Sequence, residues 1–248
     1  MIKIGKVELG KIPRVAVVIA DQEDNKLIKS FFIDIIEIRV DQFKNVDPAY
    51  VKNIIKKRKK IGIPLILTVR SCEEGGQKDI SNELKLSIFK ENIPLVDAVD
   101  IELKSPILSE VIRCARKNKK MVIVSWHNLK MTPNDKILKA LLDKAKRSGA
   151  HLVKIAVKAN KAEDLNRLMK WTIENKPKNI ITISLGEIGS ISRLLFPGLG
   201  SLITYACINK PSGLGQRPLG ELQGHLRAYY PRYNQSYIKK SRAIGYAP

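Results

Sequence analysis

Short apolar runs alternate along the chain with segments whose apolar residues recur at spacings of three and four. Eight runs rich in β-branched residues predict strands, at 14–20, 33–40, 64–70, 97–103, 121–127, 151–157, 179–185 and 202–207. Five of the intervening segments predict amphipathic helices, at 48–60, 81–92, 106–117, 133–148 and 162–175. This alternation is typical of an α/β protein with a parallel sheet.

The number of predicted strands narrows the architecture further. Eight strands in 248 residues, without a linker or a low-complexity tract, favour a single (β/α)8 TIM barrel that forms one domain over residues 1–248. Two helices are predicted to start at Asp47-Pro48 and Thr132-Pro133, as a cap followed by proline. No Gly-x-Gly-x-x-Gly follows the first strand, which argues against a doubly wound dinucleotide-binding sheet.

Composition indicates a soluble cytoplasmic protein. Hydrophobic residues make up 44% and charged residues 28%, and no apolar run reaches the length of a membrane span or a signal-peptide core. The three cysteines, Cys72, Cys114 and Cys207, are widely spaced and form no C-x-x-C motif. They therefore predict neither a disulfide framework nor a zinc site.

The net charge is strongly positive, with 45 Lys+Arg against 24 Asp+Glu and a formal charge of +21. Basic runs at 56–60, 117–120, 144–147 and 176–178 each close a predicted helix. In a barrel, the helix C-termini lie opposite the active face, so these runs predict a solvated basic collar that complements the helix dipoles. Weak adhesion to RNA or another polyanion is the alternative, but without interleaved aromatic residues the runs do not predict specific nucleic-acid binding.

The run at 151–158 carries a lysine, Lys154, in its middle. With a period of two, its β-branched residues share one face, and Lys154 lies on the other. Two interpretations remain open from the spacing alone. Lys154 either snorkels from an edge strand or is buried as a neutral amine nucleophile.

Other polar residues follow the predicted strands at their carboxyl ends, which meet on one face of a barrel. Glu37, Arg39 and Asp41 share one inward face, where three charges need each other or a ligand. His127 ends the strand that precedes Lys154 in the chain. An isolated histidine is more often a core residue than a catalyst, but one facing Lys154 favours catalysis.

Six fragments together resemble type I 3-dehydroquinate dehydratase. In order they are 37–41 (EIRVD), 70–76 (RSCEEGG), 125–128 (SWHN), 154–157 (KIAV), 191–194 (ISRL) and 212–216 (SGLGQ). The resemblance covers about residues 13–222, and 1–12 and 223–248 are extensions. The C-terminal extension contains five tyrosines, which predict that it wraps the barrel or a partner subunit.

The resemblance implies a lyase that dehydrates 3-dehydroquinate to 3-dehydroshikimate in the shikimate pathway, which leads to the aromatic amino acids. It implies a (β/α)8 barrel, commonly a homodimer, that uses neither a metal nor a diffusible cofactor. Lys154 would form an imine with the substrate ketone, His127 would act as general acid and base, and Glu74 would orient or polarise His127.

The resemblance also implies a set of substrate-binding residues. Arg193 would clamp the substrate carboxylate through its guanidinium fork. The remaining positions would bind the carboxylate and ring hydroxyls: Glu37, Arg39, Arg70, Ser212 and Gln216. Independently of the family, the three arginines and burial predict a depressed pKa for Lys154.

The loop 210–218 is predicted to be a lid. The sequence departs from the family pattern at Val18, where serine is common, at Leu185 for methionine, and at Leu214 for proline. A different class I aldolase-type barrel acting on a small anionic ketone remains the alternative enzyme. A non-enzymatic basic binding protein is the alternative from another class.

Overall fold

The computed structural model describes residues 2–29, 31–209 and 211–243. A two-stranded antiparallel hairpin, β1 (Lys3–Ile4) and β2 (Val7–Glu8), precedes the main sheet. The main sheet contains β3 (Val15–Ile19), β4 (Ile35–Arg39), β5 (Leu65–Thr68), β6 (Ala98–Glu102), β7 (Met121–Asn128), β8 (Leu152–Lys158), β9 (Ile180–Leu185), β10 (Thr204–Cys207) and β11 (Arg217–Pro218). The helices are α1 (Asn25–Lys29), α2 (Pro48–Lys59), α3 (Asn82–Asn92), α4 (Leu108–Lys117), α5 (Asp135–Ser148), α6 (Ala162–Glu174), α7 (Gly186–Gly189), α8 (Ser192–Leu199), α9 (Leu219–Tyr229) and α10 (Pro231–Ala243).

The sheet curls into a parallel barrel. Strands β3 to β9 pair in chain order, and β10 returns to pair with β3, with Thr204 opposite Val15. Between β9 and β10 the Leu202 N–H donates to the Ile180 carbonyl at 2.9 Å. The predicted (β/α)8 barrel is thus confirmed, and all eight predicted strands are present at the expected places.

The β-branched faces of the strands pack outward against the helices, while the opposite faces fill the barrel. Val153, Ile155 and Val157 belong to the outer core, whereas Leu152 and Ala156 belong to the inner one. This alternation is the predicted period of two. The inner core includes Ile4 and Leu9, so the N-terminal hairpin region covers the lower end, where the strands begin.

Of the two helix N-caps predicted from the sequence, one is confirmed and the other is wrong. Asp47 caps α2 by accepting from the backbone N–H groups of Ala49 and Tyr50, as predicted. The predicted cap at Thr132-Pro133 is wrong, because Asn134 caps α5 by accepting from the Ile137 N–H. The Thr132 hydroxyl instead donates to the Lys158 carbonyl, which ties the loop after β7 to the end of β8.

The basic runs lie at or just beyond the C-terminal ends of helices, as predicted, but one member is not solvated. In the run 56–60, Arg58 is 1% exposed and donates to the carbonyls of Ala20 and Asp21. The other four residues of this run are exposed. We therefore keep the name basic collar for the solvated residues and exclude Arg58, which is a structural residue.

The C-terminal extension packs on the barrel as far as it is described. Tyr237 of α10 packs against Phe32 with ring centroids 4.6 Å apart and the rings tilted by 39°, and the Lys240 ammonium donates to the Asp34 carboxylate at 3.0 Å. Tyr246 lies outside the described residues. None of the helices in the described ranges is long and apolar enough to cross a bilayer.

Candidate active site

A cavity of about 540 Å³ opens where the barrel strands end. Because inward-facing side chains at the carboxyl ends of parallel strands converge on one face, side chains of six strands line it together: β3, β4, β7, β8, β9 and β10. Its walls contain every site residue predicted from the sequence, namely Glu37, Arg39, Arg70, Glu74, His127, Lys154, Arg193, Ser212 and Gln216. The structure thus brings the predicted set together, and the role of each member remains a prediction.

Lys154 lies in the interior of β8 and is 4% exposed, so the snorkelling alternative is wrong. Its ammonium donates to Asp100 at 3.0 Å and to Glu37 at 3.3 Å. Burial lowers the pKa of Lys154, but the two carboxylates outweigh burial and hold the pKa above its ordinary value. The predicted depressed pKa is therefore wrong, and Lys154 is a charged ammonium in this state.

Arg70 lowers the pKa of Lys154, but Asp100 and Glu37 outweigh it, and both Arg70 and Arg39 have carboxylate partners of their own. Arg70 donates to Asp100 at 2.8 Å and to Glu102 at 3.0 Å, which offsets its charge. Arg39 makes a two-point contact with Asp41, with both distances 2.8 Å. Sequence spacing placed the arginines at the cavity but could not show these partners.

Asp100 links the two cations of the network. One of its oxygens accepts from Arg70, and the other accepts from Lys154. The Ser125 hydroxyl also donates to Asp100, at 2.6 Å. Burial raises the pKa of Asp100, but Arg70 and Lys154 outweigh it and hold the pKa well below its usual range. Asp100 is not among the site residues predicted from the sequence, yet it is the direct partner of Lys154.

His127 and Glu74 form a second pair in the cavity. Glu74 Oε2 lies 2.8 Å from His127 Nδ1 and accepts from the His127 backbone N–H at 2.9 Å. Two contacts to one oxygen fix the ring and favour the tautomer with the proton on Nδ1, which leaves Nε2 as a free acceptor. The predicted contact between Glu74 and His127 is present.

Burial shifts the pKa values of both Glu74 and His127 away from those of the free side chains. It raises the pKa of Glu74 to about 8. Burial, Arg70 and Lys154 together hold the pKa of His127 well below its usual value. The imidazole is thereby kept neutral, which is the form a general base requires.

The loop after β10 covers one side of the cavity. Arg193 on α8 holds it by donating to the backbone carbonyls of Gly215 at 2.9 Å and Leu214 at 3.0 Å. The side-chain carbonyl of Gln216 accepts from the Ser212 hydroxyl at 2.8 Å, which closes the loop on itself. The predicted lid therefore contacts the cavity at 211–216, while its first residue, Lys210, lies outside the described residues.

Gly215 shows why this loop needs glycine. Its φ is +70°, and a Cβ there would lie 2.3 Å from the Gly186 carbonyl oxygen. A side chain at this position would therefore push the lid away from α7.

Sequence reasoning missed Tyr205. Its ring lies under the Lys154 ammonium, 4.2 Å from Nζ to the ring centroid, and adds a cation–π contact to the two carboxylates. The alternation Thr204-Tyr205-Ala206 does place Tyr205 inward, since Ala206 belongs to the outer core. A tyrosine in so short an apolar run is also typical of ordinary packing, so the pattern alone did not single it out.

The other two histidines lie away from the cavity. His151, at the lower end of the barrel, accepts through Nδ1 from the Val122 N–H at 3.0 Å. His225 is exposed on α9. The apolar part of the cavity wall includes Val18 and Leu185, both at positions where the sequence departs from the family pattern.

The family model described as Type I 3-dehydroquinase matches residues 12–232. The chain belongs to the type I 3-dehydroquinase family. The resemblance found in the six fragments is confirmed, and the chain is an enzyme of this family. The match favours a type I 3-dehydroquinase over the aldolase alternative, and the non-enzymatic alternative is wrong.

Relatives of this type I 3-dehydroquinase cover nearly all of the matched region. This chain is 40% identical over 221 residues to the 3-dehydroquinate dehydratase of Hydrogenobaculum sp. (strain Y04AAS1), and the match covers 88% of this chain and 100% of the relative. It is 38% identical over 209 residues to that of Aquifex aeolicus (strain VF5), covering 84% and 93%. A crystal structure of type I 3-dehydroquinate dehydratase from Clostridium difficile, with covalently modified comenic acid, superposes with a TM-score of 0.85 at 32% identity, covering 92% and 96%.

Proposed function

We propose that this protein dehydrates 3-dehydroquinate to 3-dehydroshikimate through an imine at Lys154, as a step of the shikimate pathway. The observation that carries the proposal is a buried lysine between two carboxylates, Asp100 and Glu37, in one cavity with the His127–Glu74 pair. The names of the relatives supply the substrate, and the side chains supply the chemistry.

The chemistry begins when Lys154 loses a proton to a base in the cavity, for which the neutral His127 is available. The freed Nζ attacks the ketone carbon. The carbonyl oxygen leaves as water with one proton from Nζ and the proton returned by His127, so a protonated imine forms and His127 is neutral again. The imine is cationic, as the ammonium was, so Asp100 and Glu37 stabilise it in the same position. Their effect on the Lys154 pKa disfavours the free amine but favours the intermediate.

The protonated imine then acts as an electron sink, which makes the dehydration possible. His127 Nε2 takes a proton from the carbon next to the imine, and the C–H electrons move toward the imine nitrogen to give an enamine. The enamine expels the β-hydroxyl, which takes the proton from His127 and leaves as water. Hydrolysis of the resulting conjugated imine releases the product and restores Lys154.

Substrate binding would use the cationic lid side of the cavity. Arg193 has no carboxylate partner within the described residues, and burial lowers its pKa to about 10. A substrate carboxylate would supply the missing anion in a two-point contact. Ser212 and Gln216 would bind ring hydroxyls by exchanging their mutual hydrogen bond, and Glu37, Arg39 and Arg70 complete the proposed binding set.

The imine is tested by incubation with 3-dehydroquinate and borohydride, followed by digestion and mass spectrometry. We expect one adduct on the peptide of Lys154, lost in Lys154→Met and retained in the control Lys158→Met, whose lysine lies at the end of β8 outside the cavity lining. An adduct on another lysine, or none during active turnover, would contradict the imine. An adduct with a sugar phosphate but not with 3-dehydroquinate would favour the aldolase alternative.

We further propose a cytoplasmic homodimer whose subunits meet through the face of α8 and α9. Charged residues make up 28% of the chain, but residues 188–209 contain only one of them, Arg193. Arg193 is buried, so this segment exposes no charge. This face exposes Ile188, Ile191, Leu195 and Tyr229 by 41–69%. Copies of a chain with a charge of +21 repel each other least where charge is missing. Sedimentation velocity should give a dimer that Leu195→Glu dissociates, and a monomeric wild-type protein would contradict the proposal.

A further inference from the structure

A second cavity, of about 380 Å³, lies behind the His127–Glu74 pair. It is bounded by the loop after β5, the first turn of α3 and the loop after β6. Glu74 lines both this cavity and the substrate cavity. The two spaces are therefore neighbours that share one wall, although nothing in the proposed reaction uses the second one.

Lys85 in α3 is the unusual residue of this second cavity. It is 8% exposed and lines the space, yet within the described residues its ammonium has no carboxylate within ion-pair distance and no hydrogen-bond acceptor. Its Nζ is not among the polar atoms that are fully cut off from solvent in the described residues, so the ammonium keeps some access to solvent. An ammonium that has lost most of its hydration and has no protein partner is costly, and an anion in the cavity would reduce that cost.

The buried carboxylates in this wall do not fill that role. Glu74 is engaged with His127, and Glu102 accepts from Arg70 at 3.0 Å and from the Ser71 N–H at 2.9 Å. The remaining charged residues of the wall, Glu73, Asp79 and Lys104, are exposed to solvent, where their fields are screened. Lys85 is thus the buried charge of this cavity that is left without a counterion.

We propose that this second cavity binds a small molecule through a carboxylate or phosphate group held by Lys85, and that its occupancy lowers the rate of the dehydratase. A negative charge placed beside Glu74 favours the cationic imidazolium form of His127, so less of the neutral base is available. The regulatory half rests on the proposed function, whereas the binding half does not.

Binding is tested by NMR titration of the amides of residues 82–85 with inorganic phosphate and, separately, with acetate. We expect saturable shifts with at least one of them, and the preferred probe distinguishes a phosphate from a carboxylate ligand. Lys85→Met should weaken this binding about 10- to 100-fold, as expected for a lost charge-assisted hydrogen bond. The matched control Lys90→Met changes an exposed lysine of the same helix and should keep the shifts.

Shifts near Arg193 and the lid report anion binding in the substrate cavity and should persist in Lys85→Met. Absent saturable shifts at 82–85, or equal shifts in Lys85→Met, would overturn the site even in a fully active dehydratase. For regulation, the saturating probe should lower kcat at pH 7 in wild type and in Lys90→Met but not in Lys85→Met, with each rate compared with that of the same protein without the probe. Binding that leaves kcat unaltered would overturn the regulatory half and leave the site standing.

Discussion

The two ends of the barrel interior are built from the same strands but differ in chemistry. Along five strands, inward positions two residues apart change from apolar to polar, at Ile35 and Glu37, Ile66 and Thr68, Ala98 and Asp100, Ile123 and Ser125, and Leu152 and Lys154. The apolar member faces the lower end that the hairpin region covers, and the polar member faces the substrate cavity or its network.

The difference shows how one scaffold separates stability from function. At the lower end, burial of apolar side chains stabilises the fold in proportion to the area removed from water. At the upper end, buried charges are tolerated because each meets a partner, and removing one partner leaves another charge uncompensated. The following changes test this division, from the largest expected effect to the smallest.

Replacing Lys154 by methionine removes both the nucleophile and the counterion of Glu37 and Asp100. We expect kcat to fall by at least about a thousandfold. The free energy of unfolding should also fall, by about 3 to 5 kcal/mol at pH 7, because buried carboxylates lose their partner. Steady-state kinetics and urea unfolding measure the two effects, and substantial residual turnover would remove Lys154 from the mechanism.

Replacing Leu152 by alanine changes the inward position two residues earlier on β8. We expect a loss of about 2 to 5 kcal/mol in the free energy of unfolding, since the side chain is fully buried and leaves a cavity. The kcat of the folded protein should stay near the wild-type value. A large loss of kcat without loss of stability would show that the two ends of the interior are not separable.

Replacing Glu74 by glutamine should lower kcat about 10- to 100-fold, less than the roughly 10²- to 10⁴-fold expected for removing the base His127 itself. The change also has a pH signature. An unfolded histidine loses its proton near its ordinary pKa of 6.5, whereas burial raises the pKa of Glu74 to about 8, so the folded pair keeps one proton longer.

The folded state therefore binds more protons than the unfolded state between these two values. The free energy of unfolding should fall by about 2 kcal/mol as the pH rises from 6.5 to 8 in the wild type. In Glu74→Gln it should be flat over this range, because the site that retains the proton is gone. Denaturant unfolding at several pH values measures this, and equal slopes for both proteins would contradict the assignment.

The smallest effect is expected at the basic collar. Replacing Lys56, Lys57, Lys59 and Lys60 by glutamine, with Arg58 kept, should leave kcat/KM within about twofold, since the collar is remote and screened. Each change should alter the free energy of unfolding by less than about 0.5 kcal/mol. Loss of retention on heparin would support adhesion of the collar to polyanions. A large loss of kcat/KM would show that the collar does not lie on the face opposite the substrate cavity.

The barrel and the contents of the cavity were predictable from the sequence because both depend on local pattern. Period-two alternation predicted which residues of β8 face inward. Position at the carboxyl end of a strand predicted which residues lie on the active face of the barrel. Lys154 and His127 could be placed on this basis, and the resemblance to the family added the lid residues Ser212 and Gln216.

Pairings across the barrel were not predictable. The pKa of Lys154 depends on Asp100 and Glu37, which lie 54 and 117 residues away in the chain. The number of arginines in the sequence could not reveal that Arg70 and Arg39 are each paired with a carboxylate. Arg58 likewise belongs to a lysine-rich run by sequence but reaches back to the end of β3.

The pairing of β10 with β3 joins segments near the two ends of the chain, since Thr204 lies opposite Val15. During synthesis at about 5 to 20 residues per second, β3 waits roughly ten to forty seconds before β10 exists. Throughout that time the nascent sheet presents an open edge, which is the usual template for faulty pairing with another chain. Lys240 of α10 then adds a contact to Asp34, just before β4, so α10 fastens the join after β10 has been made.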